Sequence, residues 1–219
     1  MDGERKPLSI VHNMDCMEFM KGVPTKYYDL AVADPPYGIG IASNPVRQRQ
    51  EKKYWDNAIP KDDFFNELFR VSKNQIIWGG NYFYLPPTKG FVVWDKKQPE
   101  NFTLAMCEFA WTSFDIPAKM FRQHVASNGE TKIHPTQKSV LLYRWLLEHY
   151  AKTGDKIFDP MAGSQSSRIA AYQLGFDYEG CEIDETYFIS GNNRFDKECL
   201  GIYHCKDGRT IRQLMLFDD

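Results

Sequence analysis

The chain has 219 residues, 27 Lys+Arg against 29 Asp+Glu, 42% apolar and 26% charged residues, and a formal net charge of -2. The length suits one domain, or one domain with an inserted lobe, and the proportions exclude disorder over most of it. The longest apolar run falls short of the roughly 18 residues that span a bilayer, and near-neutral charge excludes a wholly basic, histone-like binder while allowing one local basic patch. The start leads into Leu8-Ser9-Ile10-Val11, too short for a signal-peptide core. Five cysteines (Cys16, Cys107, Cys181, Cys199, Cys205) are spread singly, without a C-x-x-C pair. They are therefore expected as reduced thiols in a cytoplasmic protein, with neither a disulfide framework nor a metal site.

Apolar spacing predicts a strand over Leu8–Val11, a short helix over Cys16–Met20 and a strand over Asp29–Val32 that runs into Asp34-Pro35-Pro36-Tyr37. A polar, basic stretch, Ser43–Lys53, has no apolar period and is expected as a loop. Asp62–Val71 places Phe64, Phe65, Leu68 and Phe69 on one helical face. Gln75–Trp78 and Phe91–Trp94 are apolar runs bounded by Gly and Pro, hence buried strands, and Leu104–Trp111 is a further strand candidate. Helices follow at Ser139–Tyr150, Ser164–Leu174 (stopped by Gly175) and Glu185–Asp196, with strands at Lys156–Phe158 and Tyr178–Ile183. Alternating strands and helices imply an α/β fold, a mostly parallel sheet with helices on both faces, which binds ligands beyond the carboxyl ends of its strands.

Two loops leave strands in the right way. In Asp159-Pro160-Met161-Ala162-Gly163-Ser164, a strand ends in an acid, small residues follow, and a helix begins. Such a loop lets backbone approach a ligand while the helix N-terminus supplies donors; an ordinary strand–helix turn looks the same. Glu182 ends the next strand, where an acid bridges ribose hydroxyls in nucleotide-binding folds, so the pair favours an adenosine-bearing cofactor. No G-x-x-x-x-G-K-[ST] occurs, which excludes a P-loop site. Asp34-Pro35-Pro36-Tyr37 is more specific. Its prolines fix the backbone so that a carbonyl and an acid can be aimed, and its ring offers a flat stacking surface. That set suits an exocyclic amino group on an aromatic base. Hydrogen bonds from both amino hydrogens, to Asp34 and the Pro35 carbonyl, would push the delocalised nitrogen toward a tetrahedral, nucleophilic form.

These segments, with His134-Pro135-Thr136-Gln137-Lys138 between them, resemble the N4/N6 amino-methyltransferase family acting on DNA, in the order of its permuted beta class. Trp78-Gly79-Gly80-Asn81-Tyr82-Phe83 and Val93-Trp94-Asp95-Lys96 resemble its short phage and prophage members. The resemblance implies a permuted Rossmann-like domain, S-adenosyl-L-methionine as cofactor, and a flipped base in duplex DNA as substrate. It implies that Asp34, Pro35, Pro36 and Tyr37 are catalytic and that Asp15 and Cys16 lie near the cofactor adenine. Thr136 and Lys138 would lie by the methionine carboxylate, Asp159, Pro160, Ala162, Gly163 and Ser164 in the methionine loop, and Glu182 on the ribose. Asp at the first catalytic position leans to adenine N6, Ser to cytosine N4. The order and Asp34 disfavour RNA or protein-glutamine methyltransferases, and an inactive cofactor- or DNA-binding relic is the rival outside enzymology. Two departures stand out: Gln165 replaces a second glycine, with the expectation of a narrower pocket or weaker cofactor binding, and Ser139 replaces a proline. Related enzymes are often dimers.

A single domain over 1–219 is expected, with a catalytic and DNA loop over about 38–60 and a small target-recognition insert over about 81–133, which suits a short target site. A base leaves its duplex only under a backbone clamp, for which Arg47, Arg49, Lys52 and Lys53 are candidates. Trp111, Arg122, Gln123 and His124 are candidate sequence readers, although Trp111 better suits the core and His124 an ordinary surface position. The tail, Gln213-Leu214-Met215-Leu216-Phe217, resembles the peptide by which bacterial replication proteins dock into the sliding clamp: Gln213 fixes register, and Leu214, Leu216 and Phe217 supply the apolar part.

Overall fold

A computed structural model describes residues 5–40, 59–101, 105–124, 130–205 and 207–213. Arg47, Arg49, Lys52 and Lys53 lie outside these segments, as do Leu214, Leu216 and Phe217. Strand β1 (Ser9–His12) leads through α1 (Cys16–Lys21) to β2 (Tyr28–Ala33), and α2 (Asp62–Val71) to β3 (Ser72–Trp78). A 3₁₀ turn (Gly80–Tyr82) and strands β4 (Phe91–Asp95), β5 (Cys107–Thr112) and β6 (Lys119–Arg122) follow. The chain then alternates α3 (Val140–Tyr150), β7 (Lys156–Asp159), α4 (Ser166–Gln173), β8 (Asp177–Cys181) and α5 (Glu185–Leu200). A hairpin of β9 (Ile202–His204) and β10 (Thr210–Arg212) comes last.

The main sheet has eight strands in the order β1-β8-β7-β2-β3-β5-β4-β6, and β5 is antiparallel to both its neighbours while every other pair is parallel. The strand β2 explains why the sheet is covered on both faces. Its alternate residues Leu30 and Val32 join a cluster with α3, α4 and α5, whereas Ala31 and Ala33 join one with α1 and α2. A strand buried on both sides reads as a continuous apolar run, and a period of two divides it between the layers. On the second face, α2 buries Phe64, Phe65, Leu68 and Val71.

The segment 81–133, expected as an insert, supplies β4, β5 and β6 to this sheet. Within it Trp111 is buried and donates its indole N–H to the Pro86 carbonyl at 2.7 Å, so it is a core residue and no reader of DNA. Strand β6 was not expected, because four residues alternating around Met120 and Phe121 carry too little apolar signal. The exposed β9–β10 hairpin escaped for the same reason. Among the described residues no helix is long and apolar enough to cross a membrane.

Leu68 is fully buried beneath the sheet. Leu68→Ala should lower unfolding free energy by about 2–5 kcal/mol, read from urea midpoints; an unchanged midpoint would contradict this packing.

Candidate active site

The carboxyl ends of β1, β8, β7 and β2 open onto a cavity of about 670 Å³. Its lining brings together Asp15, Cys16, Asp34, Pro36, Thr136, Lys138, Pro160, Ala162, Gly163, Ser164 and Glu182, eleven residues singled out from sequence. That size falls in the range of small-molecule and cofactor sites. His134, Phe64, Met161 and Tyr187 also line it and were not singled out. His134 was legible only as part of its motif, and its ring packs edge-on against Tyr187 at 4.3 Å. The described lining does not include Pro35, Tyr37 or Asp159.

Local chemistry fixes each wall. Asp15 caps α1 by accepting the Met17 N–H at 2.7 Å. Burial, reinforced by Asp15, pushes the Cys16 thiol up to about 12, so it serves as a small apolar wall group and not as a nucleophile. Glu182 accepts the Gly163 N–H through Oε2 and the Asp184 N–H through Oε1, both at 2.8 Å, which ties the glycine loop to the start of α5. Asp159 lies beneath that loop. It accepts the Ser167 hydroxyl at 2.5 Å and the Met161 N–H at 3.0 Å. Burial outweighs those bonds and pushes its carboxyl up to about 7, with the charges of Asp34 and Glu182 adding to the shift. Thr136 contacts His134 Nδ1 through its hydroxyl at 3.1 Å. Arg194 joins the loops, donating to the Ser164 carbonyl at 3.1 Å and pairing with Glu130 at 2.9 Å.

Both sequence departures have a structural reason. Gln165 sits at φ 58°, a left-handed conformation that costs a non-glycine residue roughly 1 kcal/mol. Its side chain turns into the seam between α4 and α5, where it accepts from Arg168 at 2.7 Å and donates to Asn192 and to the Phe188 carbonyl. Gly191 makes the space: a Cβ there would come within 2.6 Å of Gln165 Nε2. The Gln165 side chain therefore does not narrow the cavity. Ser139 caps α3, accepting the Leu142 N–H at 3.1 Å, and donates to Gln123 at 2.6 Å. Gln123 is thereby held to the α3 cap.

In Asp34-Pro35-Pro36-Tyr37, Asp34 accepts the Tyr37 hydroxyl at 2.7 Å and the Lys138 ammonium at 2.5 Å. Lys138 lines the cavity, and its ammonium lies between Asp34 and Glu108, 3.2 Å from the latter. Burial pushes the Asp34 carboxyl up, Lys138 opposes it, and Glu108 adds to the rise. Burial would pull the Lys138 ammonium down, but the two carboxylates outweigh it and raise it. Glu108 was missed from sequence; its signal is an acid inside the apolar run of β5. The Tyr37 ring stacks on Tyr82, centroids 5.0 Å apart at 14°. Gly79, at φ 69°, is required beside it, since a Cβ there would lie 2.2 Å from that ring. Arg122 and His124 are exposed and lie outside the cavity lining; Arg122 faces Asp95 at 3.5 Å. Gln213 accepts the Tyr203 hydroxyl at 3.0 Å.

A family model described as DNA methylase, of the N6/N4 type, matches residues 72–192, more than half of the chain. The chain is 25% identical to the DNA adenine methyltransferase YhdJ of Escherichia coli (strain K12), over 86% of this chain and 82% of that protein. Among solved structures it is similar to M1.HpyAVI in complex with SAM, with a TM-score of 0.58 and 18% identity over 84% of this chain and 98% of that one. It is also similar to the cytosine-N4-specific PvuII DNA methyltransferase, with a TM-score of 0.58 and 12% identity over 87% of this chain and 88% of that one. These two likenesses establish the Rossmann-like fold.

Gly191→Ala should lower stability by about 1–3 kcal/mol through collision with the Gln165 side chain, and Gln165→Gly in the same chain should recover most of it. Additive losses in urea unfolding would contradict the pairing. For Asp159, a carboxyl raised to about 7 holds its proton more tightly folded than unfolded. Stability from this group therefore falls as pH rises from about 3.9 to its raised value and is level above it. The urea midpoint of Asp159→Asn relative to wild type should accordingly rise across that window and then stay constant; a flat difference throughout would contradict a buried, proton-holding Asp159.

Proposed function

The chain belongs to the N6/N4 DNA methylase family, and on that premise we propose that it methylates the exocyclic N6 of adenine in duplex DNA. The methyl donor is S-adenosyl-L-methionine, and the activity is that of a DNA amino-methyltransferase. One observation supports the finer reading: the tetrapeptide begins with Asp34, where Ser would lean to cytosine, and Asp34 borders the same cavity as the glycine loop and Glu182.

The residues present fit that donor. An acid at Asp15, an acid at Glu182, small residues at Ala162 and Gly163, and apolar Phe64 and Met161 line one cavity of sufficient size. In the proposed arrangement Glu182 holds the ribose hydroxyls, Asp15 and Cys16 border the adenine end, and the loop from Asp159 through Pro160 to Ser164 borders the methionine end, with Thr136 nearby. Once bound, S-adenosyl-L-methionine supplies an electrophilic methyl group on a positively charged sulfur. The chain's own contribution is orientation and electrostatics. Asp34 and the Pro35 carbonyl accept the two amino hydrogens of the target base, while Pro36 keeps the backbone stiff. The Tyr37 ring offers the base a stacking face, for which Tyr82 has to yield or form the far side of the slot. Lys138, donating to Asp34 at 2.5 Å, favours its anion against the burial that pushes the carboxyl up, and the anion accepts freely at both oxygens.

Arg122 and His124, exposed beside β6, are proposed to meet DNA, together with Arg47, Arg49, Lys52 and Lys53. The proposed clamp peptide, Gln213 to Phe217, and a homodimer remain partners to be sought by pull-down and by sedimentation.

Incubation with labelled S-adenosyl-L-methionine and duplex DNA, followed by nucleoside analysis, should yield N6-methyladenine. N4-methylcytosine would replace adenine by cytosine as target, and no transfer with intact cofactor binding would support an inactive relic. Asp34→Ala should reduce transfer by at least about a hundredfold while S-adenosyl-L-methionine still binds; retained transfer would contradict the role of Asp34.

A further inference from the structure

Four charged side chains, buried at Lys138 and half-buried elsewhere, form a row that ends on Asp34. Lys96 meets Glu108 at 2.5 Å, Glu108 meets Lys138 at 3.2 Å, and Lys138 meets Asp34 at 2.5 Å. Lys138 is the most enclosed, 4% exposed, and its ammonium also lies over the Trp78 ring at 5.1 Å. A buried ammonium needs compensation, and Asp34 alone would supply one charge. Glu108 supplies a second. Its Oε2 lies 3.2 Å from the Lys138 ammonium and finds no well-aligned hydrogen-bond donor among the described residues, so that contact is chiefly electrostatic. Burial would raise the Glu108 carboxyl, but Lys138 and Lys96 outweigh it and hold it at about 2. Glu108 is therefore an anion throughout the working pH range.

The consequence for the reaction follows from charge. When the target nitrogen takes the methyl group, its N–C bond forms as the donor's S–C bond breaks, and the positive charge passes from sulfur to nitrogen, which then sheds a proton to Asp34 or to water. An Asp34 wholly paired with Lys138 is nearly neutralised and a weak partner for that charge. With Lys138 divided between two carboxylates, and Lys96 pairing with Glu108 at the far end of the row, the ammonium beside Asp34 neutralises it only in part. We propose that Glu108 is a positioning residue for methyl transfer, sharing the Lys138 ammonium so that Asp34 keeps its negative charge for the target amino group. This rests on the function proposed above and assigns to it a residue outside the motif segments.

The groups facing Asp34 are Lys138, the hydroxyl of Tyr37, Glu108 on β5, Tyr143 on α3 and Asp159 at the end of β7. Lys96 acts on it through Glu108. Removing the Glu108 charge gives Lys138 wholly to Asp34, so activity should persist to lower pH while the maximum rate falls. Removing Lys96 should do the reverse to the acid limb.

The test is kcat against pH for wild type, Glu108→Gln, Glu108→Asp and Lys96→Met, with cofactor Kd from calorimetry. Glu108→Gln should lower kcat by about tenfold near neutrality, move the acid limb to lower pH and leave cofactor Kd within about twofold, and Glu108→Asp should recover most of the rate. Lys96→Met, which tests the same row if Glu108→Gln folds poorly, should move the acid limb to higher pH. Active wild type with both acid limbs unmoved would overturn the role of Glu108 alone, as would loss of cofactor binding equal to the loss of rate. A wild type that moves no methyl group to DNA would overturn the proposed function and this inference together.

Discussion

The site depends on one arrangement, an ammonium buried between two carboxylates at the carboxyl edge of the sheet. Lys138 reaches Asp34 at the end of β2 and Glu108 on β5, and so links the tetrapeptide to the second half of the sheet. Burying these charges singly would be prohibitive; together, with Lys96 at the rim, they balance. The segment before α3 is fixed on its other side by Ser139, which caps that helix and holds Gln123 just after β6.

The neighbouring half of the cavity is built on a different principle. There, backbone donors at a strand–helix turn meet buried acids: Glu182 takes the Gly163 N–H, and Asp159 takes the Met161 N–H and the Ser167 hydroxyl. Arg194 then ties this loop to Glu130, and Glu130 accepts the Val140 N–H at the start of α3. The two halves are thus coupled through Arg194, which is buried and links the Asp159–Ser164 loop to the segment that carries Lys138.

Much of this was legible in the chain itself. Continuous apolar runs marked β2, β3 and β4, one-sided spacing marked α2, and the acid–Pro tetrapeptide and glycine loop fell at strand ends as expected. What stayed hidden depended on three-dimensional neighbours. Glu108 looks like a misplaced acid until Lys96 and Lys138 are beside it, and Gln165 looks like a defect until Gly191 is seen to make room for it. Trp111, a candidate reader in sequence, is claimed by the core. The short strand β6 and the β9–β10 hairpin carry too few apolar residues to announce themselves.

The central claim is that Asp34 of the tetrapeptide, the Asp159–Ser164 loop and Glu182 serve a single cavity. A crystal structure with S-adenosyl-L-methionine bound tests it most directly. The account predicts ribose hydroxyls on Glu182, the adenine end beside Asp15 and Cys16, and the transferable methyl group facing Asp34 and the Pro35 carbonyl. A cofactor seated with its methyl group turned away from Asp34, or bound outside this cavity, would contradict it.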